Sequence, residues 1–340
     1  MKPLELIAKP DEHPFAPFVR ILGKGKSGSR SLSCDEARQA MGMMLRGEAT
    51  PEQIGAFLML LRVKEESADE LTGFVQAARD AIATAHDFLP QPSVDLDWSS
   101  YAGKRRQLPW FLLAIFALID AGYRIFLHGS AGHSSGRLYT EAALQWLGVS
   151  SCANWSEVRQ QLEQQRFAFM PLAAMCAPLQ QLIDLRNTLG LRSPVHSLVR
   201  LLNPLDAPSA IQSIFHPPYA LRHQQAAADL GYANTAVFKG EGGEVERRPE
   251  ATCTVYRVAD GLLSEEQWPR LIEGRQQHDD VQRLDHLRAV WRGEAHDEYG
   301  ELALRGTLAI ALRLLGRADD PDSAMTVADA VWQQRDRTRF

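Results

Sequence analysis

The sequence predicts an α/β protein in which a smaller, all-helical domain comes first. Residues 33–86 carry repeated helix-start signals and apolar residues at helical spacing. From about residue 93, short apolar runs alternate with loops and helical segments, which is typical of a sheet with crossover helices. The length of 340 residues is enough for about two domains.

Three capping boxes predict the helices of the first domain. In this motif a Ser or Thr caps the helix, and a Glu or Gln three residues later returns a hydrogen bond to the cap. Pro51 follows one of the caps, at the first helical position, where its missing N–H costs nothing. The pairs are Ser33 with Glu36, Thr50 with Gln53, and Ser67 with Glu70.

The rest of the chain alternates between the two kinds of element. We expect strands at 94–97, 124–127, 167–170, 210–215, 235–239 and 252–258. We expect helices at 108–121, 138–147, 178–189, 218–230, 265–273, 285–292 and 302–315, and one more from 321. The longest apolar run, 108–119, is too short to span a bilayer and indicates a buried helix.

Composition excludes several classes of protein. Hydrophobic residues make up 45% and charged residues 23%, as in ordinary globular proteins. The four cysteines are far apart and form no CxxC, which argues against a disulfide scaffold and a zinc ribbon. The first 15 residues lack the continuous apolar stretch of a signal peptide. We therefore expect a reduced, cytoplasmic protein without a membrane partner.

Positive charge is concentrated in two segments of an acidic chain. The formal net charge is −5, yet residues 13–34 and residues 98–140 each carry +4, which leaves −13 on the rest. Such an asymmetry indicates an anionic partner for the basic segments.

The first candidate loop is 103–107, GKRRQ, which follows a strand and precedes a helix. The N-terminus of a helix presents unpaired N–H groups and a positive dipole, so that three cations there repel the helix end unless an anion neutralises them. A solvated surface turn is the alternative. The second candidate is 23–30, GKGKSGSR, which fits either a flexible connector or a loop that clamps phosphates.

Three further segments are weaker candidates. The loop 128–137, HGSAGHSSGR, has the small residues of a phosphate cradle, although a histidine at a strand end is more often structural. Residues 185–203 contain three arginines and no acid. In 240–248, Glu244 and Glu246 could hold Mg²⁺ or could simply be solvated in a turn.

Four of these stretches resemble one enzyme family. Residues 31–79 closely resemble the N-terminal helical domain of anthranilate phosphoribosyltransferase and its relatives, which have the glycosyltransferase family 3 fold. The stretches 128–149, 185–205 and 239–246 resemble its histidine-glycine loop, its arginine-bearing helix and its metal-binding region. The resemblance runs from about residue 5 to about residue 335.

The resemblance implies a domain division and an assembly. It implies a helical domain at 1–90, joined by helices from about 175–203, and an α/β domain with a central mixed sheet at 91–340. It also implies a homodimer formed through the helical domain.

The chain departs from the family where the chemistry resides. The family's GTGGD loop, which holds the pyrophosphate of phosphoribosyl pyrophosphate, is replaced by SSYAGKRRQLPW at 99–110. Its KHGNR becomes LHGSA at 127–131, and its Asp-Glu metal pair aligns with Val245 and Glu246. Because Val supplies no oxygen ligand, we expect no metal and no cofactor. What remains is a vestigial site without a catalytic residue: His128, Gly129, Arg186 and Glu246.

The string AGKRRQLPWF at 102–111 resembles the YbiB-like branch of the family. That branch is implied to bind nucleic acid without sequence preference, through basic grooves of a dimer. The leading hypothesis is therefore a non-enzymatic protein that binds DNA, single- or double-stranded, or RNA. The proposed phosphate contacts are Lys24, Lys26, Arg30, Lys104, Arg105 and Arg106, with Arg186, Arg192 and Arg200 as weaker candidates. Trp98, Tyr101 or Trp110 could stack on bases of a single strand, although such residues are more often core.

Two other hypotheses remain open. The first is a phosphoribosyltransferase or nucleoside phosphorylase of altered specificity, in which His128, Arg186 and Glu246 are the surviving site and Mg²⁺ is required. The second is an interaction protein whose basic loops meet an acidic protein partner.

Overall fold

The structure is a computed structural model that describes residues 9–25, 27–85, 93–130, 136–274 and 283–340. Four helices come first: α1 (Ala16–Gly23), α2 (Cys34–Leu45), α3 (Pro51–Lys64) and α4 (Ala68–Ala85). The strands are β1 (Leu96–Ser100), β2 (Ile125–Gly129), β3 (Phe167–Pro171), β4 (Ser209–Ile214), β5 (Asn234–Lys239), β6 (Cys253–Ala259) and β7 (Leu262–Trp268). The later helices are α5 (Phe111–Asp120), α6 (Thr140–Trp146), α7 (Trp155–Gln165), α8 (Leu172–Met175), α9 (Ala177–Asp184), α10 (Arg186–Leu189), α11 (Val195–Leu198), α12 (Tyr219–Asp229), α13 (Asp285–Arg292), α14 (Glu298–Leu314) and α15 (Pro321–Gln333).

The strands form one sheet in the order β3-β2-β1-β4-β5-β6-β7. The pairs from β3 to β5 are parallel, and β6 and β7 are antiparallel, so the predicted fold of a helical domain followed by a mixed α/β sheet is confirmed. Every residue of β1, β2 and β4 is buried, as expected for parallel strands covered on both faces. The carboxyl ends of the parallel strands lie at one edge, where their loops build the candidate site.

The three predicted capping boxes are present at the starts of α2, α3 and α4. Ser33 Oγ accepts from the Glu36 N–H, and Thr50 Oγ1 accepts from the Gln53 N–H, with both return bonds formed. The Ser67 N–H likewise donates to Glu70 at 2.8 Å. Apolar side chains of α1 to α4 share one core with those of residues 172–205, which brings the arginine-bearing segment beside the helical domain.

The prediction of a helix at 265–273 is wrong. These residues begin inside β7, which pairs antiparallel with β6. Asp260 (φ 48°) and Gly261 (φ 78°) make the two-residue turn between the two strands. An Asp-Gly pair is a strong hairpin signal because both positions need positive φ, and the sequence prediction missed it. The prediction also missed α7.

None of the helices in the described ranges is both long enough and apolar enough to cross a membrane. The longest apolar run of the sequence forms α5, in which every residue from Phe111 to Ile119 is buried within the protein core. The expectation that this run is a buried helix is confirmed.

Candidate functional site

The loop after β1 is closed by a carboxylate of the protein itself. Glu244, in the loop after β5, is 1% exposed. Its Oε1 accepts hydrogen bonds from the N–H groups of Ala102 and Gly103, at 2.6 and 2.5 Å, and its Oε2 accepts from Ser100 Oγ at 2.8 Å. Backbone N–H groups converging after a strand are the donors that hold a phosphate in many folds. Here they hold Glu244 instead.

Lys104 lies in the same closed region, so its predicted contact with phosphate is wrong. Its side chain is 1% exposed, and its ammonium pairs with the carboxylates of Glu241 and Glu246. Although burial opposes it, these two carboxylates raise the pKa of Lys104, which therefore stays charged. Its backbone is fixed by hydrogen bonds to and from Leu138, each 2.8 Å long. Lys104 balances buried charge and does not face solvent.

These contacts leave no fitting set of ligands for the magnesium ion that the family resemblance implies. Glu246 Oε1 is bound by Lys104 at 2.5 Å, and its Oε2 accepts from the Phe111 N–H at 2.9 Å. Val245, the other aligned position, is buried and carries no oxygen on its side chain. Burial raises the pKa of Glu246 to about 7, which weakens it further as a ligand. Across the described ranges, no three His, Cys, Asp or Glu side chains are placed to hold a metal ion.

The histidine-glycine pair at the end of β2 is packed into the sheet. His128 is fully buried between Tyr101 and Asp97, with Nδ1 2.7 Å from the Tyr101 hydroxyl and Nε2 3.2 Å from Asp97 Oδ2. A Cβ on Gly129 would clash with the carbonyl oxygen of Ser100 on the neighbouring strand. Both positions therefore serve the packing of β1 against β2.

Two more predicted phosphate contacts are engaged within the protein. Arg200 is 6% exposed, and its Nη1 donates to the carbonyls of Ser213 and Gly243 at 2.7 and 2.6 Å. Arg30 donates through Nη1 and Nη2 to Glu36, at 2.7 and 2.8 Å. Arg200 therefore braces the loop after β5 from inside. The acid that neutralises Arg30 comes from the next helix, just outside the acid-free segment that motivated the prediction.

Other predicted cations remain at the surface. Lys24, Arg105 and Arg106 are exposed, whereas Lys26 lies outside the described residues. Arg105 and Arg106 directly follow Lys104, so that the KRR string is divided between one buried cation and two solvated ones.

Arg192 is the centre of a cluster of arginines. It is half-buried in the loop before α11, and it takes part in no hydrogen bond or ion pair among the described residues. Burial lowers the pKa of Arg192 to about 10, and repulsion from Arg200, Arg137 and Arg186 adds to the effect. A guanidinium that is desolvated and repelled by three others is stabilised when an anion binds beside it.

Arg137 is a further member of the cluster that was not among the site residues predicted from the sequence. Its Nη1 donates to the carbonyls of Ala102 and Gly103, at 3.0 and 2.9 Å. The arginine that ends the loop 128–137 therefore braces the loop after β1 and adds its charge to the cluster. Residues 131–135, the middle of that loop, lie outside the described residues.

A cleft opens beside Arg192, between the helical domain and the end of β4. Its volume is about 100 Å³, below the roughly 300–1,000 Å³ of ordinary small-molecule sites. The acidic residue in the lining of the cleft, Glu66, is 2% exposed. Burial raises the pKa of Glu66, which disfavours its negative charge. His223 in the same wall stays neutral because burial lowers its pKa to about 3. The lining residues are Arg62, Glu66, Arg192, Ser193, His196, Ser197, Arg200, Ile214, Phe215, His216, Tyr219 and His223.

The aromatic residues expected to stack on bases are in the core. Trp98, Tyr101 and Trp110 are each at most 1% exposed, so none of them offers a stacking face. The aromatic residue at the surface of the cleft is Phe215, 49% exposed. Phe215 ends the strand predicted at 210–215 and was not among the predicted site residues.

Comparison with known proteins agrees with this architecture. Residues 18–82 match the glycosyl transferase family, helical bundle domain, and residues 113–334 match its a/b domain. The uncharacterized protein YbiB of Escherichia coli (strain K12) is 28% identical over 250 residues, 72% of this chain and 76% of that protein. Anthranilate phosphoribosyltransferase of Rhizobium rhizogenes (strain K84) is 27% identical over 305 residues, 87% of this chain and 88% of the enzyme.

A solved structure shows the same fold. Anthranilate phosphoribosyltransferase from Saccharomyces cerevisiae, in complex with PRPP and Mg, superposes with a TM-score of 0.77 at 18% identity, over 97% of this chain and 96% of that one. With the two domain matches and the shared mixed sheet, the chain belongs to the anthranilate phosphoribosyltransferase-like glycosyl transferase family.

Proposed function

We propose that this protein binds the phosphate backbone of nucleic acid at the arginine-lined cleft and does not transfer phosphoribosyl groups. The observation that carries the proposal is the state of Arg192, a half-buried guanidinium that is repelled by three other arginines and paired with no acid of the described chain. A polyanion supplies the missing negative charge, and arginine forks fit phosphate oxygens well.

The surface around the cleft supports an extended anion over a small one. Arg105 and Arg106 are solvated on the loop after β1, which Arg137 ties to the cluster through the carbonyls of Ala102 and Gly103. Residues 98–140, which include this loop, carry a formal charge of +4 on a chain whose net charge is −5. Contacts of this kind recognise the backbone and carry little sequence information.

The transferase alternative rests on the relatives that are anthranilate phosphoribosyltransferases. It requires room for a pyrophosphate and oxygen ligands for a metal. In this chain Glu244 occupies the backbone N–H groups after β1, and Lys104 occupies the carboxylate of Glu246. Binding of phosphoribosyl pyrophosphate with Mg²⁺ is therefore the observation that would favour this alternative.

We further propose that two copies pair through the helical domain. A groove there is lined by parts of α2, α4 and the segment 173–178, with Leu45, Ala77, Ala81 and Met175 among its apolar residues. A second copy covering this groove would place two arginine clefts on one particle. Sedimentation velocity of the wild type against Ala174→Glu, at an exposed position of the groove, tests the pairing. A wild type that sediments as a monomer contradicts it.

The decisive experiment is a titration of a labelled 20-nucleotide single strand, followed by fluorescence anisotropy at several salt concentrations. We expect a submicromolar dissociation constant at low salt. The logarithm of the association constant should fall linearly with the logarithm of the salt concentration, with a slope of about −0.7 for each phosphate neutralised. The double substitution Arg105→Ala/Arg106→Ala is expected to make that slope shallower. Arg317→Ala/Arg337→Ala changes the net charge equally at exposed positions elsewhere and serves as the matched control.

Three results contradict the proposal. The first is no binding by the wild type at low salt. The second is an equal effect of the test and control pairs, which would indicate a response to net charge alone. The third is tight binding of phosphoribosyl pyrophosphate with Mg²⁺ that displaces the oligonucleotide, which would favour the transferase.

A further inference from the structure

Phe215 is unusual among the aromatic residues of this protein. It directly follows β4, at the carboxyl edge of the parallel strands, and 49% of its side chain is exposed. Among the Phe, Tyr and Trp residues that the structure describes, it is the only exposed one, and all others are buried or half-buried. A single exposed apolar side chain is common on protein surfaces, and Phe215 is a binding candidate because it also lines the cleft that contains Arg192.

The neighbours of Phe215 limit what it can bind. It lines the same cleft as Arg192 and Arg200, and the ring of His216 packs against it edge-on, with centroids 4.8 Å apart and planes at 85°. Pro217 and Pro218 follow, and their fixed φ angles stiffen the backbone that carries the ring. Exposed Leu191 stands next to Arg192. The cleft thus combines a rigid aromatic surface with an unneutralised guanidinium.

We propose that Phe215 stacks on an unpaired base while Arg192 holds a phosphate beside it, so that the protein prefers single strands to duplexes. This inference rests on the proposed binding of nucleic acid and specifies the form of that nucleic acid. Every base offers a π-face, so that stacking adds affinity without sequence preference. In a duplex the bases are already stacked on one another, and Phe215 reaches them only after unpairing, which costs a few kcal/mol.

The test compares Phe215→Leu with the wild type on a labelled (dT)₂₀ strand and on a 20-base-pair duplex. Leu keeps apolar bulk and removes the aromatic face. We expect Phe215→Leu to weaken single-strand binding by about 5- to 100-fold and to leave duplex binding within about twofold. Leu262→Ala, at an exposed apolar position on the edge strand β7, is the matched control and should change neither.

A second variant gives a direct signal. Phe215→Trp keeps a stacking face, so it should bind (dT)₂₀ as tightly as the wild type. The added indole should be quenched when the strand binds, measured as the difference from wild-type fluorescence. Quenching by the strand and not by the duplex places a base on this residue.

The outcomes separate this inference from the proposed function. If the wild type binds both nucleic acids and Phe215→Leu binds the single strand equally well, stacking at Phe215 is wrong while backbone binding stands. If the wild type binds neither, the proposed function fails and the inference fails with it. If Phe215→Leu changes the oligomeric state in sedimentation velocity, the ring belongs to a contact between copies, and the inference is wrong.

Discussion

The ammonium of Lys104 lies 2.5 Å from a carboxylate oxygen of Glu246, and both side chains are withdrawn from solvent. The two residues are 142 positions apart in the sequence. Their contact joins the loop after β1 to the loop after β5, and it determines how this edge of the sheet responds to substitution.

Lys104→Met should destabilise the protein in a pH-dependent way. Removing one member of a buried ion pair leaves the other uncompensated, which typically costs about 3–5 kcal/mol. Burial already raises the pKa of Glu246 to about 7, above its unfolded value of about 4.3. A carboxyl with a raised folded pKa favours folding below its unfolded pKa, and that stability is lost as pH rises through the folded value.

Urea unfolding of Lys104→Met should therefore show a smaller deficit at pH 5 than at pH 8. The double variant Lys104→Met/Glu246→Gln removes the uncompensated charge and should recover part of the loss at pH 8. An equal deficit at both pH values would show that Lys104 stabilises this region through packing rather than through charge.

Glu244→Ala should turn the loop after β1 into an anion site. The substitution leaves the N–H groups of Ala102 and Gly103 without their acceptor, at about 1–3 kcal/mol for each buried donor. Inorganic phosphate can then take the place of the carboxylate. We expect 50 mM phosphate, against sodium chloride of equal ionic strength, to raise the Tm of the variant more than that of the wild type. Equal shifts in both proteins would contradict the reading of Glu244 as an internal anion.

Gly129→Ala should destabilise the sheet, because the added Cβ meets the carbonyl oxygen of Ser100 on the paired strand. Overpacking of this kind costs about 1–3 kcal/mol, and more where the backbone cannot move. Gly55→Ala is the control, since that position lies in α3 and has only ordinary contact with Leu189. The control should be neutral or stabilising by about 0.5–1 kcal/mol. Chemical denaturation of the two variants measures the contrast, and similar values for both would contradict it.

Arg192→Gln should separate stability from binding. In the free protein the guanidinium is desolvated and repelled by three arginines, so its removal should leave the Tm unchanged or raise it. In the oligonucleotide titration the same variant should make the salt slope shallower by about 0.7, the share of one phosphate on a single strand. A fall in Tm together with an unchanged slope would make Arg192 a structural residue.

Local signals in the sequence predicted the fold well. Capping boxes such as Ser33 with Glu36 act over three residues, so they can be read directly from the chain, and the structure contains them. The error at β7 was also local, since Asp260-Gly261 is a hairpin turn that the charged, helix-like stretch after it obscured.

The site was harder to predict because its contacts are distant in sequence. In the sequence, Lys104 cannot be distinguished from Arg105 and Arg106, because its partners Glu241 and Glu246 come close to it only when the chain folds. Likewise, nothing near Phe215 in the sequence distinguishes it from the apolar residues of β4 that are buried. The charge pattern of the sequence indicated a basic region. Only the exposure of each side chain in the structure shows which of its cations are available to bind an anion.

The hydrogen bonds around Glu244 and Lys104 also bear on how this chain changes over evolutionary time. A single substitution at Lys104, Glu244 or Glu246 leaves a buried charge or a pair of buried N–H groups without its partner. Each such intermediate carries a stability deficit comparable to a large part of a domain's total. We therefore expect descendants of this sequence to keep or exchange Lys104 and Glu246 together, and to keep Glu244 as long as the N–H groups of Ala102 and Gly103 stay buried.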